Sequence, residues 1–419
     1  MTTTTSQRVN ERWAPRFFTL WTGQALSLLG SQLVQFAIIW YLTKRTNSAT
    51  SLAIASLMGL LPQVVLSPFI GTWVDRGNRR FILIIADATV AFATLILVVL
   101  FALGRADIWH IYTLLFVRAI AGGFHQSAFG ASVVLLVPKD NLARVQGFNQ
   151  ALNGGLNIVS APLGAFLFAL LPMQGILSID IITASIAITI VLFTSIPQPE
   201  RSAATKVTFW QDFAAGFRYI IAWRGLIIVL AMVMVINFFY SAAESLTPLL
   251  ISKHFQGDAQ QLGWWQAMFA TGTILGGILL GAWGGFKRRV ITAQFGLIVL
   301  GLGTTVIGFT PARLFWLGIA ANTLTGLIMP ITNGSYGAIL QSVIAPEMQG
   351  RVFAFIMSAA MLVSPLGLVI AGPISDALGI QLWFAVAGIT CASMGVAGFF
   401  IHEVMKMEEE KKGLAAELS

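Results

Sequence analysis

Charge is scarce in this chain. Lys and Arg number 25 and Asp and Glu 17 among 419 residues, 10% together, where a soluble domain carries about 25%. Hydrophobic residues make up 57%, and the mean hydropathy is +0.81. A soluble fold of this length could not hide so much apolar surface, which excludes an ordinary globular class. Cysteine is nearly missing as well. The single thiol, Cys391, lies inside an apolar run, so no disulfide framework can form within the chain. The four histidines, His110, His125, His254 and His402, share no metal-ligand spacing. No Gly-x-x-x-x-Gly-Lys-Ser/Thr phosphate cradle occurs, which argues against direct ATP use. No catalytic cluster is legible either, so the sequence predicts a protein that is not an enzyme and needs no metal or cofactor.

What the chain does have is long apolar runs. Twelve lie near 17–42, 49–72, 81–104, 108–137, 142–171, 174–196, 225–252, 260–284, 288–309, 312–342, 348–373 and 380–402. A spanning helix needs roughly 20 apolar residues, so each run reads as one span. Several are longer than that, which predicts tilt or protrusion into water. The N-terminal stretch MTTTTSQRVNERWAPR is polar, and the run after it is too long for the core of a cleavable signal peptide.

The net charge of +8 is not a nucleic-acid footprint, because the basic residues sit in short clusters between the apolar runs. If both termini are cytoplasmic, 19 Lys and Arg fall on the inner side and 5 on the outer, with Arg118 inside a span. That asymmetry sets the expected orientation.

Residues 197–224 cannot span. They hold Pro197, Pro199, Glu200, Arg201 and Lys206, and read as a linker between two six-span halves. Phe209, Phe213, Phe217 and Ile220 repeat within it at helical spacing. This predicts a short helix, lying either on the inner leaflet or against the bundle. The predicted organisation is a tail over 1–16, a bundle over 17–196, the linker over 197–224, a second bundle over 225–402 and a tail over 403–419.

The two halves echo each other. Gly71-x-Trp73…Arg80 is matched by Gly281-x-Trp283…Arg289, and Pro138…Arg144-Val by Pro346…Arg351-Val. Ala161-Pro162-Leu163-Gly164 is matched by Ser364-Pro365-Leu366-Gly367. Three matches in the same order imply two similar halves related by an axis along the membrane normal.

One loop stands apart from the rest. Gly71 to Arg80 reads GTWVDRGNRR, with Gly71, Asp75, Arg76, Arg79 and Arg80 forming Gly-x-x-x-Asp-Arg-x-x-Arg-Arg. Gly71 would let two backbones approach closely. Asp75 would pair with an arginine or a helix N-terminus, and the arginines would hold the loop on the cytoplasmic side. Its second copy has Gly285 where the first has Asp75.

That loop resembles the signature between helices 2 and 3 of major facilitator superfamily transporters, and residues 15–402 as a whole resemble that fold. FFTLWTGQALSLLGSQLVQFAIIWYLTKRTNSA looks like the first-helix region of the macrolide-efflux and related drug exporters, as do PEMQGRVFAF and SPLGLVIAGPISDALG further on. The export signature on the fifth span is partial, reading Ala161-Pro162-Leu163-Gly164-Ala165 where antiporters often carry Gly-Pro-x-x-Gly-Gly. The resemblance implies an all-α membrane protein of twelve helices in two bundles. It also implies a monomer in the bacterial inner membrane that exports an amphipathic compound against protons, by rocking one half against the other. On this reading the loop at Asp75 is a conformational latch. A siderophore or metabolite exporter, or a proton-coupled importer, would use the same fold.

Polar residues inside spans are costly and functional. Arg118, in the fourth span, cannot deprotonate, must find a carboxylate, a carbonyl or water, and is expected to serve coupling. Glu244 shares a helical face with Asn237 and Ser241, beside Tyr240, and a carboxyl in a dry cavity can carry a proton near neutrality. Asp180 in the sixth span is the alternative proton carrier. Asp87, near the inner end of the third span, reads as a brace, and Asp376 as a solvated cap. Neutral stripes complete the set. Gln24, Ser27, Ser31 and Gln35 lie on one face of the first span, and Gln150, Asn153 and Asn157 on one face of the fifth. With Asn237 and Tyr240 they line a substrate cavity, or the stripes glue helices together.

Overall fold

The computed structural model describes residues 13–194, 196 and 209–408. Among these residues there is no β-strand, and twelve helices are long and apolar enough to cross a membrane. In hydrocarbon a lone backbone amide has no water partner, so an apolar chain must close its hydrogen bonds within each helix. The helices are α1 (Trp13–Thr46), α2 (Ala49–Arg76), α3 (Arg79–Ala102), α4 (Ile108–Leu136), α5 (Leu142–Leu170) and α6 (Met173–Phe193). After the linker helix α7 (Phe209–Ala222) come α8 (Arg224–Leu249), α9 (Ala259–Trp283), α10 (Arg289–Phe309), α11 (Phe315–Val343), α12 (Pro346–Leu378) and α13 (Ile380–Phe400), then a short α14 (His402–Met405).

Local chemistry sets the boundaries. Asn78 caps α3, its side chain accepting from the N–H groups of Arg80 and Phe81. Asp258 caps α9 by accepting from Gln261 N–H at 2.9 Å. Gly284 ends α9 in a left-handed conformation, φ +75°. Large apolar side chains point away from the bundles, among them Phe92, Phe193, Trp316 and Phe400, the last 84% exposed. A surface of this kind suits lipid and not water.

The chain divides into two compact units, Met1–Leu42 with Ala55–Thr205, and Thr43–Ile54 with Lys206–Ser419. In the first, α3 packs on α4 and α6. Its core gathers Phe17, Leu20, Ile70, Val74, Leu83, Val133 and Val191. In the second, α10 packs on α11 and α13, α9 on α11, and α12 on α8. The seam between α9 and α11 needs Gly272 and Gly276, because a Cβ at either would strike backbone of α11. The matched Pro-Leu-Gly segments sit alike within their own units. A Cβ on Gly164 would meet Phe36 of α1, and one on Gly367 the carbonyl of Phe238 on α8.

The linker helix packs against the bundle. Ile220 is buried, Gly216 lies against the backbone of Arg351, and Phe217 meets Phe355 with ring centres 5.3 Å apart. Side chains of the expected stripe at Phe209 and Phe213 lie outside the described residues, as do residues 197–208.

Residues Thr43–Ile54 belong with the second unit for a visible reason. Asp376 of α12 accepts from Ala49 N–H at 2.7 Å, Thr50 N–H at 3.0 Å, Ser48 Oγ at 2.8 Å and Thr50 Oγ1 at 2.8 Å. It is a cap, as expected, but it caps the start of α2 rather than standing free in solvent.

Candidate functional site

The first unit encloses a cavity of about 600 Å³. That lies within the range of roughly 300–1,000 Å³ typical of small-molecule sites. Six helices build its wall. Gln24, Ser27 and Ser31 come from α1, Gln63 from α2, and Asp87 and Val90 from α3. Arg118, His125, Gln126 and Phe129 come from α4, Gln146, Asn149, Gln150 and Asn153 from α5, and Asp180 from α6. Leu28, Val133, Ala184 and Trp21 supply apolar surface among these polar groups. The lining is therefore amphipathic.

The deepest polar contact is the ion pair of Arg118 with Asp180. Asp180 has no solvent exposure, and the Arg118 side chain retains 11%. Both carboxylate oxygens are occupied. Oδ1 accepts from Ser31 Oγ at 2.9 Å, and Oδ2 from Thr94 Oγ1 at 3.3 Å and from Arg118. Arg118 also donates to the Ser31 carbonyl at 3.2 Å. One carboxylate thus ties α1, α3, α4 and α6 together. A buried charge pair survives desolvation only when its remaining lone pairs are filled in this way.

The stripes divide along their length. Gln24, Ser27 and Ser31 reach the cavity, whereas Gln35, further along α1, is exposed and outside it. Gln150 and Asn153 line it, but Asn157 does not. Glu244, Asn237 and Tyr240 belong to the second unit. Asn237 donates to the Val233 carbonyl of its own helix at 2.9 Å, and Ser241 bonds Ser364 of α12. Tyr240 packs beside Met232, Leu297, Leu300 and Cys391. Glu244 is exposed and makes no hydrogen bond or ion pair with the described residues.

The charged loop joins helix ends within the first unit. Arg80 donates to the carbonyls of Val191, at 3.0 Å, and Leu192, at the close of α6. Asp75 lies 3.8 Å from Arg79, with its side chain 76% exposed while that of Arg79 is 9% exposed. Arg76 faces outward. Gly71 does not make the expected close approach. A Cβ there would meet nothing within 4 Å among the described residues, because α2 turns that position outward.

Asp87, expected as a brace, and His125, expected in no site, both line the cavity. The signal was periodic. Arg118, Gly122 and His125 fall at i, i+4 and i+7 on α4, and Asp87, Val90 and Thr94 at i, i+3 and i+7 on α3.

Twelve spanning helices, two internally similar units and a cavity walled by buried charge define a polytopic transporter rather than an enzyme. Comparison with known proteins makes the assignment definite. The Major Facilitator Superfamily profile matches residues 20–250 and 229–417, and the chain belongs to that family. It is 32% identical over 397 residues to macrolide efflux protein A of Streptococcus pyogenes, covering 94% of this chain and 98% of that protein. It is 25% identical over 412 residues to the multidrug efflux pump Tap of Mycolicibacterium fortuitum, covering 91% and 95%. The crystal structure of the nucleoside transporter NupG shares the fold, with a TM-score of 0.70 at 12% identity over 93% of this chain and 99% of that one.

Proposed function

We propose that this protein exports an amphipathic, macrolide-like organic compound from a bacterial cell in exchange for protons, by alternating access. The observation that carries the reading is the amphipathic cavity with a buried ion pair in its wall. It occurs in a chain similar from end to end to a macrolide efflux protein. Apolar wall surface takes the body of such a compound, and the amide groups of Gln24, Gln150 and Asn153 take its hydroxyls and carbonyls. Arg118 supplies a fixed positive charge, while Asp180 and Glu244 supply carboxylates whose protonation would couple to export. The loop at Asp75, Arg76, Arg79 and Arg80, led by Gly71, acts as the conformational latch. The excess of Lys and Arg on one side supports a multi-pass inner-membrane protein with both termini cytoplasmic.

Drug susceptibility of an efflux-deficient bacterium tests this. Expression should raise resistance to macrolides, and a proton uncoupler should abolish intracellular depletion. Unchanged susceptibility across a macrolide panel would reject the substrate class. Export that survives collapse of the proton gradient would reject the antiport.

A further inference from the structure

Asp87 and Asp180 stand in one cavity wall but are partnered in opposite ways. Asp180 has both oxygens filled, one of them by a guanidinium. Asp87 is 7% exposed, and its Oδ2 is buried with no hydrogen-bond partner. Its Oδ1 faces His125 Nε2 at 3.4 Å. The same nitrogen lies 2.6 Å from Gln24 Oε1, so one ring N–H is shared between an amide oxygen and a carboxylate oxygen. The Phe129 ring lies nearly parallel to the imidazole, at an interplanar angle of 10° with ring centres 6.3 Å apart. Gln24 is 2% exposed, and its own Nε2 is also buried without a partner.

This arrangement suits a carboxyl that gains and loses a proton. An ionised carboxylate with one oxygen buried and meeting no donor gives up hydration at that oxygen. A proton passed from His125 to Oδ1 removes the charge, so the buried Oδ2 no longer carries an unmet share of it. An imidazole can take a proton at one ring nitrogen and release one from the other. The titratable and charged groups that face Asp87 are His125 and Arg118 from α4 and Asp180 from α6. The lining residues of α1, α2 and α5 are neutral. Arg118 is already neutralised by Asp180, so neither of those two competes with His125 as the partner of Asp87.

We propose that Asp87 and His125 form a proton-exchange site of this transporter, with Asp87 as the acceptor and His125 as the relay to cavity water. This inference rests on the antiport reading. A proton from water adds to His125 Nδ1 while the Nε2 proton passes to Asp87, leaving a neutral ring and a neutral carboxyl. The reverse sequence returns one proton to water and restores the carboxylate. Gln24 is a positioning residue that fixes the ring. Substrate filling the cavity displaces the water that delivers the proton, and so ties its occupancy to that of the carboxyl.

The test uses the full-length protein in lipid nanodiscs and in proteoliposomes. Infrared difference spectra between neutral and acid pH, without substrate, should show a protonated-carboxyl band that Asp87→Asn removes and Asp87→Glu retains. His125→Gln should keep that band and move its pH midpoint. With erythromycin as the probe, Asp87→Asn should lose uphill flux driven by a pH gradient and keep downhill exchange. A band that persists in Asp87→Asn, or a midpoint unmoved in His125→Gln, overturns the proposal. Uphill pumping by Asp87→Asn at the wild-type rate also overturns it. If wild type shows the Asp87 band but no pH-driven flux, the antiport reading fails and the proton-binding site stands.

Discussion

Arg118 of α4 is paired with Asp180 of α6 in a part of the wall where Asp180 has no solvent exposure. The pair is a fastening as much as a charge. Asp180 also receives Ser31 and Thr94, so four helices meet at one carboxylate. Removing one member leaves the other buried and uncompensated, which costs about 3–5 kcal/mol, whereas replacing both with apolar groups is often close to neutral. Arg118→Met and Asp180→Leu are each expected to lower the stability of the purified protein strongly, and the double variant to recover most of the loss. Unfolding of the four proteins in one detergent measures this as a double-mutant cycle. Additive losses would show that the two side chains act separately.

A second fastening links residues far apart in sequence. Asp376 accepts two backbone N–H bonds and two hydroxyl bonds at the start of α2. Loss of an N-cap side chain costs about 0.5–2 kcal/mol. Asp376→Ala should lower stability by about that amount, and Asp376→Asn, which keeps an acceptor oxygen, by less. Equal stability of wild type and Asp376→Ala in thermal unfolding would contradict the cap.

These two contacts show what a sequence can and cannot display. The spans are legible because some twenty apolar residues in a row form a local signal, and all twelve expected runs are helices. Arg118 is legible because one charge in an apolar run is conspicuous. Its partner is not, since Asp180 lies 62 positions away and nothing local marks the pairing. Asp376 shows the limit more sharply, as its cap is formed 327 positions from the N–H it satisfies. Gln35 and Asn157 continue their stripes by periodicity, yet the cavity ends before them. Periodicity gives the face of a helix but not the height at which a neighbouring helix closes the space.

The charged loop separates two roles that a single substitution can distinguish. Asp75 is exposed and only loosely paired, 3.8 Å from Arg79. It does not line the cavity. Exposed ion pairs contribute about 0–1 kcal/mol, so Asp75→Asn should leave stability nearly unchanged. If Asp75 serves as a latch, the same substitution should cut transport severely while erythromycin binding at equilibrium changes little. Arg80→Ala should differ, lowering stability because it loses the carbonyls of Val191 and Leu192. A large loss of binding in Asp75→Asn, with normal conformational exchange, would remove the latch assignment.

Glu244 offers the opposite test to Asp180. The residue is exposed and makes no hydrogen bond or ion pair with the described residues, although α8 is a spanning helix. Facing hydrocarbon would cost about 2.5–3.5 kcal/mol on insertion scales, so an acidic side chain at such a place faces water. It makes no hydrogen bond or ion pair with the described residues, and substitutions at exposed positions without such partners shift stability by about 0.5 kcal/mol or less. Glu244→Gln is therefore expected to unfold with the wild-type protein. If Glu244 carries a coupled proton, the same variant should lose most gradient-driven erythromycin export in proteoliposomes and keep equilibrium binding. Asp180→Asn, by contrast, should lose stability as well as transport. The two measurements made side by side on each variant separate a fastening from a proton carrier. Uphill export by Glu244→Gln at the wild-type rate and proton stoichiometry would leave the first unit's carboxylates to do the coupling alone.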